Sequence, residues 1–437
     1  MKKVLFIAYY FPPMGGSGVQ RSLKFVKYLH KFGVEPTVLT VNPFYARWPK
    51  DLSLVGEIPS GTKVYRTPTI DMNWFFKILW GLKLNYLVTW LQLNVFVPDP
   101  EITWLPFAIA RLKKILKHDK FDLAYITGGP YSSMLLGPYL KDVFNTDYIV
   151  DFRDEWTNSH IRLDFIKSAK AIKRDNLMEE EVLRKCSGLI YTHPIGMQDN
   201  FENKYPFLKS KPFRIITNGY DESDFLTQDS VFKIENNSFE IVYSGSFYDR
   251  RKPDILFRAI KTLVERNQIN PDHFRIKIIG KNTPSFVLGD FNNCTIINNI
   301  VRFHKYSSHK QVIDAVNMAS LLLLFLAPGP NSEPEIPGKL FEYLRSYIPI
   351  MAIVPPNGAA AEIVRKSKTG YVLNSDSEEE VCNGLRDIYH TWMEGKLKNN
   401  PDIDFIDQFN RERLTEKLVS LFDEVTSSKP EEICKLR

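Results

Sequence analysis

One pattern constrains this chain above all others: short apolar runs alternate with helical periodicity, and the alternation occurs twice. "KVLFIAY", "PTVLTV", "FDLAYIT", "DYIVDF" and "GLIYT" each read as a buried strand, with helical patterns separating them. After a polar pause at "RIITNGYDESDF", the alternation restarts with "FEIVYSG", "FRIKIIG", "SLLLLFL" and "IPIMAIV". Strands that alternate with helices form βαβ units and a parallel sheet. The expected fold is therefore α/β, with two Rossmann-like domains. The boundaries are expected at 1–228 and 229–404, followed by a helical segment and tail over 405–437 that begins "FIDQFNRERL". A length of 437 residues suits two such cores. Parallel sheets bind ligands at the carboxyl ends of their strands, so the polar motifs are expected to gather there, on a shared cleft.

Cysteine and charge narrow the class further. The four cysteines, at 186, 294, 382 and 434, stand singly, without disulfide or metal spacing. The opening "MKKVLFIAYYFPP" has too short an apolar run for a secretory leader and reads as a first strand. No apolar run approaches the roughly 20 residues of a membrane span. Residues 1–228 hold 30 lysines and arginines against 23 acids, a net +7, and the remainder holds 27 against 28, a net −1. A basic first half suits an anionic partner, but no nucleic-acid module is present, and nucleic acid is not expected.

Three motifs sit at strand ends. In "FPPMGGSGVQRS", Gly15 and Gly16 form a turn that admits a phosphate at a helix amino terminus. A dinucleotide fingerprint fails there, because Arg21 holds the third glycine position and Asn42 ends the second strand. In "YSGSFYDRRKPD", Gly245 and Ser246 precede Arg250, Arg251 and Lys252. Cations beside a helix amino terminus oppose the macrodipole unless a polyanion arrives. In "NSEPEIPGKLFEYL", Gly338 and Lys339 open a helix, Glu342 follows one turn on, and Glu335 lies before. A plain i,i+3 ion pair is the bland reading of Lys339 and Glu342. Together, the second and third motifs suggest a nucleoside-diphosphate seat. In "IVDFRDEWT", Asp151, Arg153, Asp154 and Trp156 end a strand, and Tyr131 opens the helix after "TGGP". One carboxylate there could bind an acceptor hydroxyl, or Asp151 and Asp154 could pair with Arg153. Asp402-Ile-Asp404 has the spacing of a metal-binding pair but reads as solvated linker.

On these stretches, and on "ITNGYDESDF" and "PIMAIVPPNGAAAEIV", nearly the whole chain resembles the GT-B glycosyltransferases of family 4. These are retaining enzymes that use nucleotide-sugar donors without metal. The resemblance implies a glycosyltransferase of the hexosyltransferase type. It implies donor contacts at Gly15, Gly16, Gly245, Ser246, Arg251, Lys252, Gly338, Lys339, Leu340 and Glu342. It implies an acceptor site at Arg21, Tyr131, Arg153 and Trp156, with Asp151, Asp154 and Glu335 as catalytic candidates. The final helix would cross back onto the first domain. No cofactor and no metal are expected, the nucleotide sugar being a co-substrate. Ser246 stands where many relatives have arginine, and only six residues separate Glu335 from Glu342 where seven are usual. A catalytically inactive scaffold and a nucleotide-sugar epimerase of the same fold are the rival readings.

The stretch from about 73 to 103, "NWFFKILWGLKLNYLVTWLQLNVFVPDPEIT", is an aromatic-rich insertion, and the basic "RLKKILKHDK" follows it. It packs on the first domain, or it meets an anionic membrane face and admits a lipid-linked acceptor. The second reading places the protein in the cytoplasm, peripheral at the inner face of the membrane, in surface-polysaccharide synthesis.

Overall fold

The computed structural model describes residues 1–46, 48–158, 167–194, 196–225, 238–247, 252–305, 307–329 and 332–427. Two compact units divide the chain. The first comprises 1–218 with 411–437, and the second 219–410.

The first unit is built on a seven-stranded parallel sheet. Its strands are β1 (Lys2–Ile7), β2 (Val34–Val41), β3 (Lys63–Thr67), β4 (Leu123–Thr127), β5 (Tyr148–Phe152), β6 (Gly188–Tyr191) and β7 (Phe213–Ile215). They lie in the order β3-β2-β1-β4-β5-β6-β7. Alternate residues of β1 feed two apolar layers: Leu5 and Ile7 pack with Trp104 and Leu112, whereas Val4 and Phe6 pack with Phe25, Leu418 and Phe422. A strand covered on both faces needs apolar side chains at every position, which is why "VLFI" is unbroken. The second layer includes the Arg411–Ser427 helix, whose Leu414, Leu418, Leu421, Phe422 and Val425 form one helical stripe. The final helix therefore belongs to the first unit's core.

The second unit has six parallel strands: β8 (Phe239–Ser244), β9 (Phe274–Ile279), β10 (Val301–His304), β11 (Leu321–Phe325), β12 (Ile350–Val354) and β13 (Gly370–Asn374). Their order is β10-β9-β8-β11-β12-β13. Leu321, Leu323 and Phe325 face one layer, and Leu322 and Leu324 the other.

Each sheet reverses its strand order once, between β1 and β4 and between β8 and β11. Such reversals open a crevice beyond the strand carboxyl ends, where open α/β sheets bind ligands. The turns at Gly15-Gly16, Gly128–Tyr131, Gly245-Ser246 and Glu335–Lys339 all follow these four strands.

Candidate active site

In the second unit, the end of β8 and the Lys339–Ser346 helix are tied together. The Ser244 N–H donates to the Tyr343 hydroxyl at 2.9 Å, and the two hydroxyls lie 3.1 Å apart. Gly245 then turns at φ +138° and Gly280, after β9, at φ +148°. A Cβ on Gly280 would come 2.5 Å from the Gly245 backbone carbonyl, and one on Gly245 would displace Lys339 Nζ, 2.6 Å away, besides straining its positive φ. Asn282 braces the turn, donating to Gly245 O at 3.0 Å and accepting from the Phe247 N–H at 2.8 Å.

Lys339 is thereby placed. Its Nζ lies 3.5 Å from the centroid of the Tyr243 ring, which stacks on Phe247 at 4.1 Å. An ammonium group over an aromatic face is attracted by the ring quadrupole. The Lys252 Nζ sits 4.6 Å from the centroid of Phe286. Glu342 is 2.9 Å from His309 Nε2, and the other ring nitrogen lies 3.8 Å from Asp224. Arg345 anchors the same helix through a two-pronged ion pair with Glu222, one arm 2.6 Å long. Gly338 is exposed, and Ser246 and Glu335 are half-buried. Arg250 and Arg251 lie outside the described residues.

Leu340 does not line this seat. Its side chain is buried in the core and its N–H donates to Pro337 O at 2.9 Å. Gly280, Asn282 and His309 support the site but were not among the sequence candidates. "IIGKN" after a strand was the available signal for the first two, and nothing local marked His309.

In the first unit, the expected acceptor cluster turns out to be mostly internal structure. Arg21 and Asp151 are buried and joined by two bonds of 2.7 and 2.8 Å. Arg21 also donates to the carbonyls of Thr217 and Ile216. Asp151 accepts from Thr127 and Tyr125 besides. Burial alone would raise the Asp151 carboxyl; the Arg21 charge and bonds outweigh it and hold the group below its ordinary value. Neither residue can reach an acceptor. Arg153 donates to Thr127, Gly18 O and Ser22, fastening β5 to the first helix. Trp156 is buried, donating to Asp175 at 2.7 Å. Gly15 is buried with its N–H given to Pro49 O, so it offers no donor to a phosphate. Gly16 remains exposed.

Asp154 is solvent-exposed, 3.8 Å from His193. Tyr131 stacks on Trp156 at 5.3 Å and borders a cavity of about 340 Å³. Asp99 and Glu101 line the same cavity. Burial, with help from the carboxylates of Asp99 and Asp71, pushes Glu101 up to about 8. Asp402 caps a short helix by accepting from the Phe405 N–H at 3.1 Å, a structural use of the Asp-x-Asp motif.

Residues 238–391 match the family described as Glycosyl transferases group 1. No curated protein matches the chain by sequence. Among solved structures, sucrose-phosphate synthase from Thermosynechococcus elongatus is 13% identical with a TM-score of 0.64, over 98% of this chain and 100% of that one. Anabaena HepE, in complex with UDP and glucose, is 13% identical with a TM-score of 0.59, over 98% and 100%. WaaG, a glycosyltransferase involved in lipopolysaccharide biosynthesis, is 14% identical with a TM-score of 0.59, over 97% and 98%.

Two Rossmann-like units, shared with such neighbours along nearly the whole length, define the GT-B fold. The second unit carries the match to the group 1 glycosyltransferase family, over residues 238–391.

Proposed function

We propose that the protein is a retaining glycosyltransferase that moves a sugar from a nucleotide-diphosphate sugar to a saccharide or lipid-linked saccharide. The observation that carries this reading is Lys339, fixed against Gly245 where β8 ends beside β11. That is where an open α/β sheet takes a phosphate. Lys339 and Lys252 would neutralise the leaving diphosphate, an electrostatic contribution that grows as charge develops on the leaving oxygen. Glu342, oriented by His309, would accept hydrogen bonds from the ribose hydroxyls. Arg251 would join the phosphate contacts, and Glu335 would meet the transferred sugar. No metal is assigned a role. HepE holds UDP and glucose, and TarM of S. aureus holds UDP with a saccharide, which supports a nucleotide-sugar donor here.

The first unit would hold the acceptor, with Asp154 as the exposed carboxylate and Tyr131 in the wall of the cavity. A lipid-linked acceptor fits a protein at the cytoplasmic face of an anionic membrane, in synthesis of a surface polysaccharide. The test is a screen of UDP-, GDP- and ADP-sugars with a saccharide acceptor, reading nucleotide release and the anomeric configuration of the product. Release with a retained anomer is expected. Inversion would reject the retaining mechanism, and release of an isomerised donor without acceptor would favour an epimerase.

A further inference from the structure

The insertion forms two short helices, Met72–Gly81 and Asn85–Asn94, which pack on each other. Of their side chains, only Phe76 and Val88 are buried. Trp74, Phe75, Trp80, Leu82, Tyr86 and Trp90 are all exposed, Tyr86 by 85% and Leu82 by 64%. So many exposed apolar side chains on two helices packed together are unusual on a protein that faces only water. Its composition is specific: residues 72–98 contain Lys77 and Lys83 and no carboxylate. Tryptophan and tyrosine on the surface, with lysines that snorkel, suit the headgroup layer of a bilayer.

Charge complementarity extends beyond the hairpin. The Ser168 N–H donates to Asn94 Oδ1 at 2.9 Å, joining the hairpin's end to the Ala169–Lys185 helix. That helix begins with exposed Lys170, Lys173 and Arg174, and Ile172 is 47% exposed among them. Each helix of ten residues is about 15 Å long, half a hydrocarbon core, and no described helix is long and apolar enough to cross a membrane. The geometry suits lying in an interface, not spanning it.

The hairpin is also continuous with the cavity. Gln92 and Leu93, on its second helix, line the 340 Å³ space together with Tyr10, Asp99, Glu101 and Tyr131. One helix thus shows aromatics to the outside and a wall to a cavity at the sheet's switch point.

We propose that the 72–98 hairpin seats in the headgroup layer of an anionic bilayer, bringing the cavity at its root to the saccharide of a lipid-carried acceptor. The proposal rests on the acceptor reading above, and its test separates the two. The full chain is sedimented with vesicles of phosphatidylcholine and with an equimolar mixture of phosphatidylcholine and phosphatidylglycerol. Wild type is compared with Trp80→Ser/Trp90→Ser and with Lys170→Glu/Lys173→Glu. Thermal unfolding confirms that each variant is folded.

The expected result is binding to the mixed vesicles, with the serine variant weakened about tenfold or more and the glutamate variant similarly weakened at low salt. Saccharide transfer to a lipid-carried acceptor in vesicles should fall in the serine variant while transfer to a soluble saccharide is kept. A folded wild type that ignores both vesicle types overturns the proposal. So does a hairpin-dependent dimer in sedimentation velocity with no vesicle binding, since a second copy would then cover the face. If vesicles bind but no saccharide is transferred, the acceptor reading fails and the docking surface stands.

Discussion

Arg21 and Asp151 show how one contact redefines a residue. From the sequence, an arginine one turn into a helix after a glycine loop suggests an anion site, and an aspartate at a strand end suggests chemistry. The structure joins them across 130 positions in a buried pair, information that no local pattern contains. Removing one member strands the other's charge, which costs about 3–5 kcal/mol. Asp151→Asn should lose that much in urea unfolding. The Asp151 carboxyl is depressed, so its contribution is present above the ordinary carboxylate value and is lost as pH falls through the depressed one. The gap between wild type and Asp151→Asn should therefore narrow only in acid, below about pH 4. Glu101 has the opposite sign. Its value is raised to about 8, so its contribution is complete in acid and lost as pH rises through that value. Wild type should lose stability progressively from about pH 4.5, the ordinary carboxyl value, to about pH 8, and Glu101→Gln should lose less. Equal pH slopes for the two proteins would contradict a proton-holding carboxyl at Glu101.

Among the elements, burial decided what could be read. Nine of the thirteen strands are legible in the sequence as short, mainly apolar runs. The other four, β3, β7, β10 and β13, are the outermost strands of the two sheets. Each is only partly covered, and "KVYRT", "FRI", "VRFH" and "GYVLN" are short, with few buried apolar positions. The same limit hid the braces of the proposed donor seat. The Gly245 turn depends on a second glycine 35 positions on and on the Asn282 side chain. Gly280→Ala forces a Cβ against the Gly245 carbonyl, so it should cost about 1–3 kcal/mol and weaken nucleotide binding. His309→Ala leaves the backbone intact. It should weaken nucleotide binding by about tenfold, through the lost orientation of Glu342, with little change in the unfolding midpoint. An unchanged affinity in His309→Ala would remove Glu342 from the seat.

At the scale of the whole molecule, the chain divides after Asn218 and again after Asn410, near the polar pause and the linker that the sequence marks at 228 and 404. Two α/β units, their strand-end motifs and the glycosyltransferase resemblance were legible because each rests on runs of adjacent residues. The true state of the first unit's polar cluster was not, because its residues are spent on long-range internal bonds and the nearby cavity is assembled from three separated segments. In the function proposed here, the end of β8 and the Lys339–Ser346 helix form a nucleoside-diphosphate seat. Calorimetric titration of UDP, GDP and ADP, without metal, into wild type, Lys252→Ala, Lys339→Ala and Glu342→Ala tests it most directly. One nucleotide is expected to bind, and each variant, still folded, to lose about tenfold or more in affinity. A folded wild type that binds none of the three, or binding that survives all three substitutions, would contradict it.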